Sequence, residues 1–137
     1  GKRFLVAGAD YASQRKVARR PGDLETWDWI KYRQRSDTVE FVSASGKTEK
    51  VTGQAQIEVD SMDAVYHFAT QNMGATILPS FLAKRGIDQG ALVHLLPDWS
   101  LRDLGIYAVW PDKAHRESLT LLFVRFLAEQ GLCTPVD

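Results

Sequence analysis

Cysteine, surplus charge and long apolar runs are all scarce in this chain, and each scarcity removes a class of protein. Cys133 is the one cysteine among 137 residues, so an internal disulfide framework is excluded. Its place near the chain end makes redox sensing the lesser reading of it. Lysine and arginine total 17 and aspartate and glutamate total 17, so no global field draws the chain onto a polyanion or an anionic membrane. Nucleic acid is therefore not expected as its own direct partner. The apolar runs are too short to cross a bilayer, and the amino end lacks a basic segment followed by an apolar signal core. A cytoplasmic chain with no membrane partner is the expectation. Histidine is sparse too: His67, His94 and His115 stand far apart, without cysteine or paired acids at ligand spacing. Neither a metal nor another cofactor is expected.

What the chain does have is an apolar content of 45%, enough for a core, and a patterned stretch from Ser61 to Trp99. Met62, Val65, Phe68, Ala69 and Met73 recur at helical spacing and leave Asp63, His67 and Thr70 outward. Gly74 is read as the left-handed closing residue, and Ala75-Thr76-Ile77-Leu78 as a short buried strand. Pro79 ends it; Ser80 is expected to cap a second helix that stops by Gly86. Such a helix feeding a buried strand is βαβ packing.

Elsewhere, Pro21 with Asp23 and Glu25 predicts a short helix, and Trp27 to Ile30 a strand. Thr38 to Ser43 and Gln56 to Val59 alternate as strands wet on one face. Ser45-Gly46-Lys47 predicts a hairpin turn whose charges, Lys47, Glu49 and Lys50, discourage edge pairing.

Gly74-Ala75-Thr76-Ile77-Leu78-Pro79, followed by Gly90-Ala91-Leu92-Val93-His94-Leu95-Leu96-Pro97-Asp98-Trp99, resembles a run found in the effector-binding domain of LysR-type transcriptional regulators. Leu5 to Tyr11, Arg20-Pro21-Gly22-Asp23-Leu24, Ile106 to Pro111 and Phe123 to Glu129 are similar to further family motifs, in the same order. The resemblance covers nearly the whole chain. It implies an α/β fold: a periplasmic-binding-protein-like lobe, regulatory subdomain II, with crossing strands and the C-terminal helix of subdomain I. On that layout residues 1–8 are the first crossing strand, 9–103 subdomain II, and 104–137 the returning strand and C-terminal helix. The lack of a leading methionine before the apolar run Phe4 to Ala7 is read as a start inside a larger protein. The helix-turn-helix and most of subdomain I are expected outside it.

The resemblance implies no enzyme. It implies a small-molecule effector in a cleft between lobes, a homo-oligomer (dimer or tetramer), and DNA contact only through the missing helix-turn-helix. Effector entry would shift the lobe angle and so the spacing of the DNA-binding modules. A carried-over site comprises Asp60, Ser61 and Met62 at the start of the first helix, where strand carboxyl ends meet helix N–H groups, with Ala9 and Tyr107 at the cleft floor. The blander reading makes Asp60 and Ser61 a helix cap and Met62 core. Asp60 and Asp63 at that positive end disfavour a carboxylate effector and favour a hydroxylated, amine-bearing or uncharged one. Where the family often has glycine, Asn72 stands, a residue that also tolerates a helix end. Apolar surface left without its usual partner predicts self-association, since burial contributes about 25 cal/mol per Å².

Other chemistry is rejected. Gly46-Lys47-Thr48 lacks the upstream glycine of a phosphate loop, Phe41 standing there. Arg15-Lys16 and Arg19-Arg20 read as a solvated loop or dimer contact before DNA. His67 is read as a partner of Asp63, His94 as a strand residue facing water, and the four tryptophans as core and rim. A lobe of a periplasmic solute-binding protein is the main rival, and an enzyme the more distant one, because no nucleophile, base and orienting group come together.

Overall fold

The structure, a computed structural model, describes residues 2–102, which belong to the compact unit Gly1–Asp103. Its elements run β1 (Arg3–Gly8), α1 (Ala9–Ser13), a 3-10 turn (Pro21–Leu24), β2 (Trp29–Tyr32), β3 (Thr38–Ser43), β4 (Thr48–Thr52), β5 (Ala55–Val59), α2 (Met62–Thr70), β6 (Ala75–Pro79), α3 (Ser80–Asp88), β7 (Leu92–His94) and β8 (Trp99–Arg102). A five-stranded sheet is ordered β5-β2-β6-β1-β7 and a three-stranded sheet β4-β3-β8. β5, β2 and β6 run parallel, and β1 runs against β6 and β7. The expected βαβ packing is present: α2 carries the chain from β5 past β2 to β6, and α3 from β6 past β1 to β7.

Three layers follow from which faces are apolar. Val65 and Ala69 of α2 and Leu82 and Ala83 of α3 bury against Val6, Ile30, Leu78 and Leu92 on one face of the large sheet. On its other face Leu5, Ala7, Trp29 and Ile77 meet Phe41 and Val51 of the small sheet. β6 is buried at Ala75, Thr76, Ile77 and Leu78 because both its faces are covered. Thr76 is tolerated there because its hydroxyl donates to the Ile30 carbonyl at 2.7 Å.

Several expectations need correction. Thr48–Thr52, read as a charged hairpin, is a strand paired with β3 across the turn at Gly46 (φ 90°). Gln56 to Val59 instead joins the large sheet beside β2. Ser80 does not cap α3: Pro79 is the cap and no side chain serves. α3 also runs through Gly86, whose missing Cβ admits Leu92, since a Cβ would stand 2.3 Å from the leucine Cδ1.

Both helices close in the same way. In α3 the N–H of Gly90 (φ 76°) donates to the Ile87 carbonyl at 3.0 Å and that of Ala91 to Gly86 at 2.9 Å. In α2 the left-handed residue is Asn72 (φ 63°), not Gly74: Asn72 N–H meets the Ala69 carbonyl at 3.0 Å and Met73 N–H that of Phe68 at 3.2 Å. These are Schellman closures. Gly74 (φ 144°) has another duty, for a Cβ on it would lie 2.5 Å from the Asp28 carbonyl oxygen. His94 is half-buried rather than water-facing, its ring stacked on Phe4 at 4.4 Å and 5°.

Candidate functional site

The carboxyl ends of β5, β2 and β6 share one edge of the large sheet, together with the amino end of β1, since Val59 pairs with Tyr32 and Arg3 with Pro79. Two helices start at this edge. At α2, Ser61 takes an extended backbone (φ −127°, ψ 129°) and its hydroxyl accepts from Ala64 N–H at 3.3 Å. That side chain is a true N-cap. Asp60 is exposed and reaches Arg33 at 3.9 Å, a pair of two exposed side chains with modest worth. Met62 is half-buried against the helical layer. At α3, Ser80 N–H donates to the Lys2 carbonyl at 3.0 Å, and the first turn holds no acidic residue.

The electrostatics of the two starts therefore differ. Asp60 and Asp63 already answer the positive end of α2. α3 carries no such acid.

The segment linking the two sheets, residues 33–37, is pinned beside this edge. Arg33 N–H donates to the Val59 carbonyl at 2.7 Å, and Arg35 Nη1 to that of Ile77 at 3.0 Å. Asp37 holds Lys31 Nζ at 2.5 Å, and Glu58 approaches the same ammonium at 3.3 Å. The Asp37 bond, opposed by desolvation and helped by Glu58, raises the Lys31 pKa above its ordinary value. Beneath lies a cavity of about 30 Å³ between the sheets, bounded by Lys31, Arg35, Asp37 and Val51. It is room for water, not for an effector.

Ala9 stands elsewhere. It opens α1 at the carboxyl end of β1, where Gly8 pairs with Leu92 and Ala9 N–H donates to Ala91 at 2.9 Å. A strand of this length puts it roughly 20 Å from the Ser61 edge. The neighbourhood of Ala9 is a structural corner: Asn72 Oδ1 accepts from Tyr11 N–H at 3.0 Å, capping α1 from a distant segment. Tyr11 hydroxyl donates to Asp28 Oδ2 at 2.8 Å and accepts from Asp28 N–H at 2.7 Å. Burial chiefly raises the pKa of that phenol. So the fold gathers Asp60, Ser61 and Met62 and separates Ala9 from them; Tyr107 lies outside the described residues. Sequence reasoning foresaw a helix beginning at Ser80 but counted neither its start nor Arg33 in the site. The Pro79-Ser80 step directly after a buried strand marked the helix, and its place at the same sheet edge as α2 depends on strand pairing.

Among the described residues no group of three or more His, Cys, Asp or Glu is placed to hold a metal ion, and no helix is long and apolar enough to cross a membrane.

The architecture is that of a periplasmic-binding-protein-like regulatory lobe. Residues 2–132 match the LysR substrate binding domain, and the chain belongs to that family. It is 31% identical over 130 residues to the HTH-type transcriptional regulator PtxR of Pseudomonas aeruginosa, covering 93% of this chain and 41% of that protein. An uncharacterized HTH-type transcriptional regulator of Haemophilus influenzae is 26% identical over 81% of this chain and 39% of its own length. The chain thus spans about two fifths of the length of these curated relatives. Among solved structures, the regulatory domain of AphB from Vibrio vulnificus treated with cumene hydroperoxide superposes with a TM-score of 0.66 at 25% identity, over 74% of this chain and 52% of that one. The CrgA regulatory domain of Neisseria meningitidis gives 0.62 at 15% identity, over 94% and 64%, a likeness of fold. These relatives are named transcriptional regulators, and LysR substrate-binding domains are regulatory rather than catalytic.

Proposed function

We propose that this chain is the ligand-sensing part of a LysR-type transcriptional regulator of the cytoplasm, and that its effector meets the edge where α2 and α3 begin. The observation that carries this reading is the convergence of two helix amino ends with the carboxyl ends of three parallel strands, the place where open α/β sheets take their ligands. On this reading residues 9–103 make the lobe together with the crossing strand of residues 1–8, which takes an inner place in the large sheet between β6 and β7, and residues 104–137 belong with the other lobe. Asp60, Ser61 and Met62 are the contacts from this side; Tyr107 joins them if the returning strand closes the cleft.

Asp60 and Asp63 favour a hydroxylated, amine-bearing or uncharged effector over a simple carboxylate. Effector entry changes the angle between lobes, and a dimer or tetramer passes that change to DNA through helix-turn-helix modules outside this chain. A thermal-shift screen of small molecules against the two-lobed regulator tests the proposal, because a ligand that binds only the folded state raises the midpoint. The expected result is a hit whose shift disappears in Ser61→Trp, a bulk placed at the helix start. Hits unaffected by Ser61→Trp, Asp60→Lys and Met62→Trp alike would remove the site from this edge.

A further inference from the structure

Residues 14–20, Gln-Arg-Lys-Val-Ala-Arg-Arg, join α1 to the 3-10 turn at the end of the sheet remote from the α2 start. Four of the seven are basic, so the loop offers several bonds to an endoprotease that cuts after lysine or arginine. These bonds are not equally open. Such an enzyme seats the cation in its own pocket and draws the flanking backbone out of the fold, which favours exposed loop tips held by no backbone hydrogen bond.

Three of the four cations are hindered. Arg15 lies 3.6 Å over the Tyr11 ring and reaches Asp28 Oδ2 at 3.3 Å, so its head is occupied. Arg19 and Arg20 are tied at the backbone, their N–H groups donating to Asp23 Oδ2 at 2.9 and 3.2 Å. Arg20 also holds Glu49 at 3.0 Å and precedes Pro21, whose ring and missing N–H obstruct that bond. Lys16 differs. It and Val17 are exposed, Val17 at 80%, and among the described residues no hydrogen bond holds the backbone of Lys16, Val17 or Ala18.

Basic residues in the other turns are pinned. The Lys47 carbonyl accepts from Ser43 N–H at 2.8 Å and its N–H donates to Ser43 Oγ at 3.0 Å. Arg33 N–H donates to the Val59 carbonyl at 2.7 Å and Arg35 N–H to that of Tyr32 at 2.9 Å. The chain on either side of Lys16 is also anchored separately. Before it, β1 lies between β6 and β7 and Asn72 caps α1. After it, Gly22 N–H donates to Glu49 at 3.3 Å, and Leu24 and Trp27 are buried.

We propose that the Lys16–Val17 bond is the entry site for a basic-specific endoprotease, and that the cut chain keeps its fold. Hydrolysis consumes one water: its oxygen joins the Lys16 carbonyl carbon as the C–N bond breaks, and both its hydrogens end on the Val17 nitrogen. A carboxylate and an ammonium remain, both at an exposed position, so no buried group loses a partner. The assignment is independent of the effector edge.

Limited digestion of the 137-residue chain with trypsin, read by intact mass, is the test. Among bonds within residues 2–102, the first cut is expected between Lys16 and Val17. Lys16→Gln should lose that cut, as should Val17→Pro, which keeps the lysine, with circular dichroism showing each variant folded; Lys47→Gln should leave it unchanged. The piece ending at Lys16 should co-elute with the piece beginning at Val17 in buffer and separate from it in denaturant. A first cut within residues 2–102 at Arg15, Arg19, Lys47 or elsewhere would overturn the assignment, as would no cut there under conditions that digest the denatured chain. Pieces that part in buffer would overturn the claim that the fold survives.

Discussion

Replacing Asn72 by alanine removes two things at once: a residue that tolerates φ 63° and the oxygen that caps α1 at Tyr11 N–H. The left-handed conformation costs an ordinary residue about 1–2 kcal/mol and a lost cap about 1 kcal/mol. Asn72→Gly keeps the conformation and loses only the cap, so denaturant unfolding should rank the parent above Asn72→Gly and that above Asn72→Ala. Equal stability of the two variants would show that backbone conformation contributes nothing there. Nothing in the sequence near Asn72 announces Tyr11 as its partner, because the two stand 61 residues apart. Only its tolerance of a helix end was legible. His94 carries a second residue-scale prediction. Burial holds its pKa below the ordinary 6.5, so the unfolded chain binds the extra proton more readily. That contribution is complete above the unfolded pKa and is lost as pH falls through the folded one. His94→Phe keeps a ring on Phe4 and should shrink the stability difference between neutral and mildly acidic pH. An unchanged difference would assign it to other groups.

At the scale of elements, the strands and helices that bury a full face were readable and those that do not were obscure. α2 and β6 stood out because Val65, Ala69 and the Ala75–Leu78 run carry the period of the layer they bury. β4 was hidden because only Val51 of its five residues is buried and its charges look like a loop. They belong instead to an exposed edge strand, where Glu49 also anchors the 3-10 turn through Gly22 N–H at 3.3 Å. The α3 terminus was misread for a related reason: glycine suggests an end, whereas Gly86 is a close-packing position and Gly90 is the end. Gly86→Val should therefore destabilise by about 1–3 kcal/mol through overpacking against Leu92, read as a lower unfolding midpoint. Gly86→Val with Leu92→Ala should recover part of that loss; no recovery would place the clash elsewhere.

For the whole molecule, family resemblance named the right fold and grouped residues that the topology divides. Ala9 follows β1 and Ser61 follows β5, and the resemblance put both at one cleft, Ala9 on its floor. β1 runs against β6 while β5 runs with it, so their carboxyl ends lie at opposite edges. Strand direction is a property of non-local pairing and leaves no mark in local sequence, which is why this part of the site could not be read before the fold. The α2 start is the proposed ligand-facing edge, whereas the corner at Ala9, Tyr11, Asp28 and Asn72 is a brace. Backbone amide chemical shifts of the two-lobed regulator, followed while a stabilising effector is added, test this most directly. The largest changes are expected at residues 60–64 and at the first turn of α3, with Ala9 to Tyr11 nearly still. Changes concentrated at Ala9 to Tyr11 with Ser61 unmoved would contradict it.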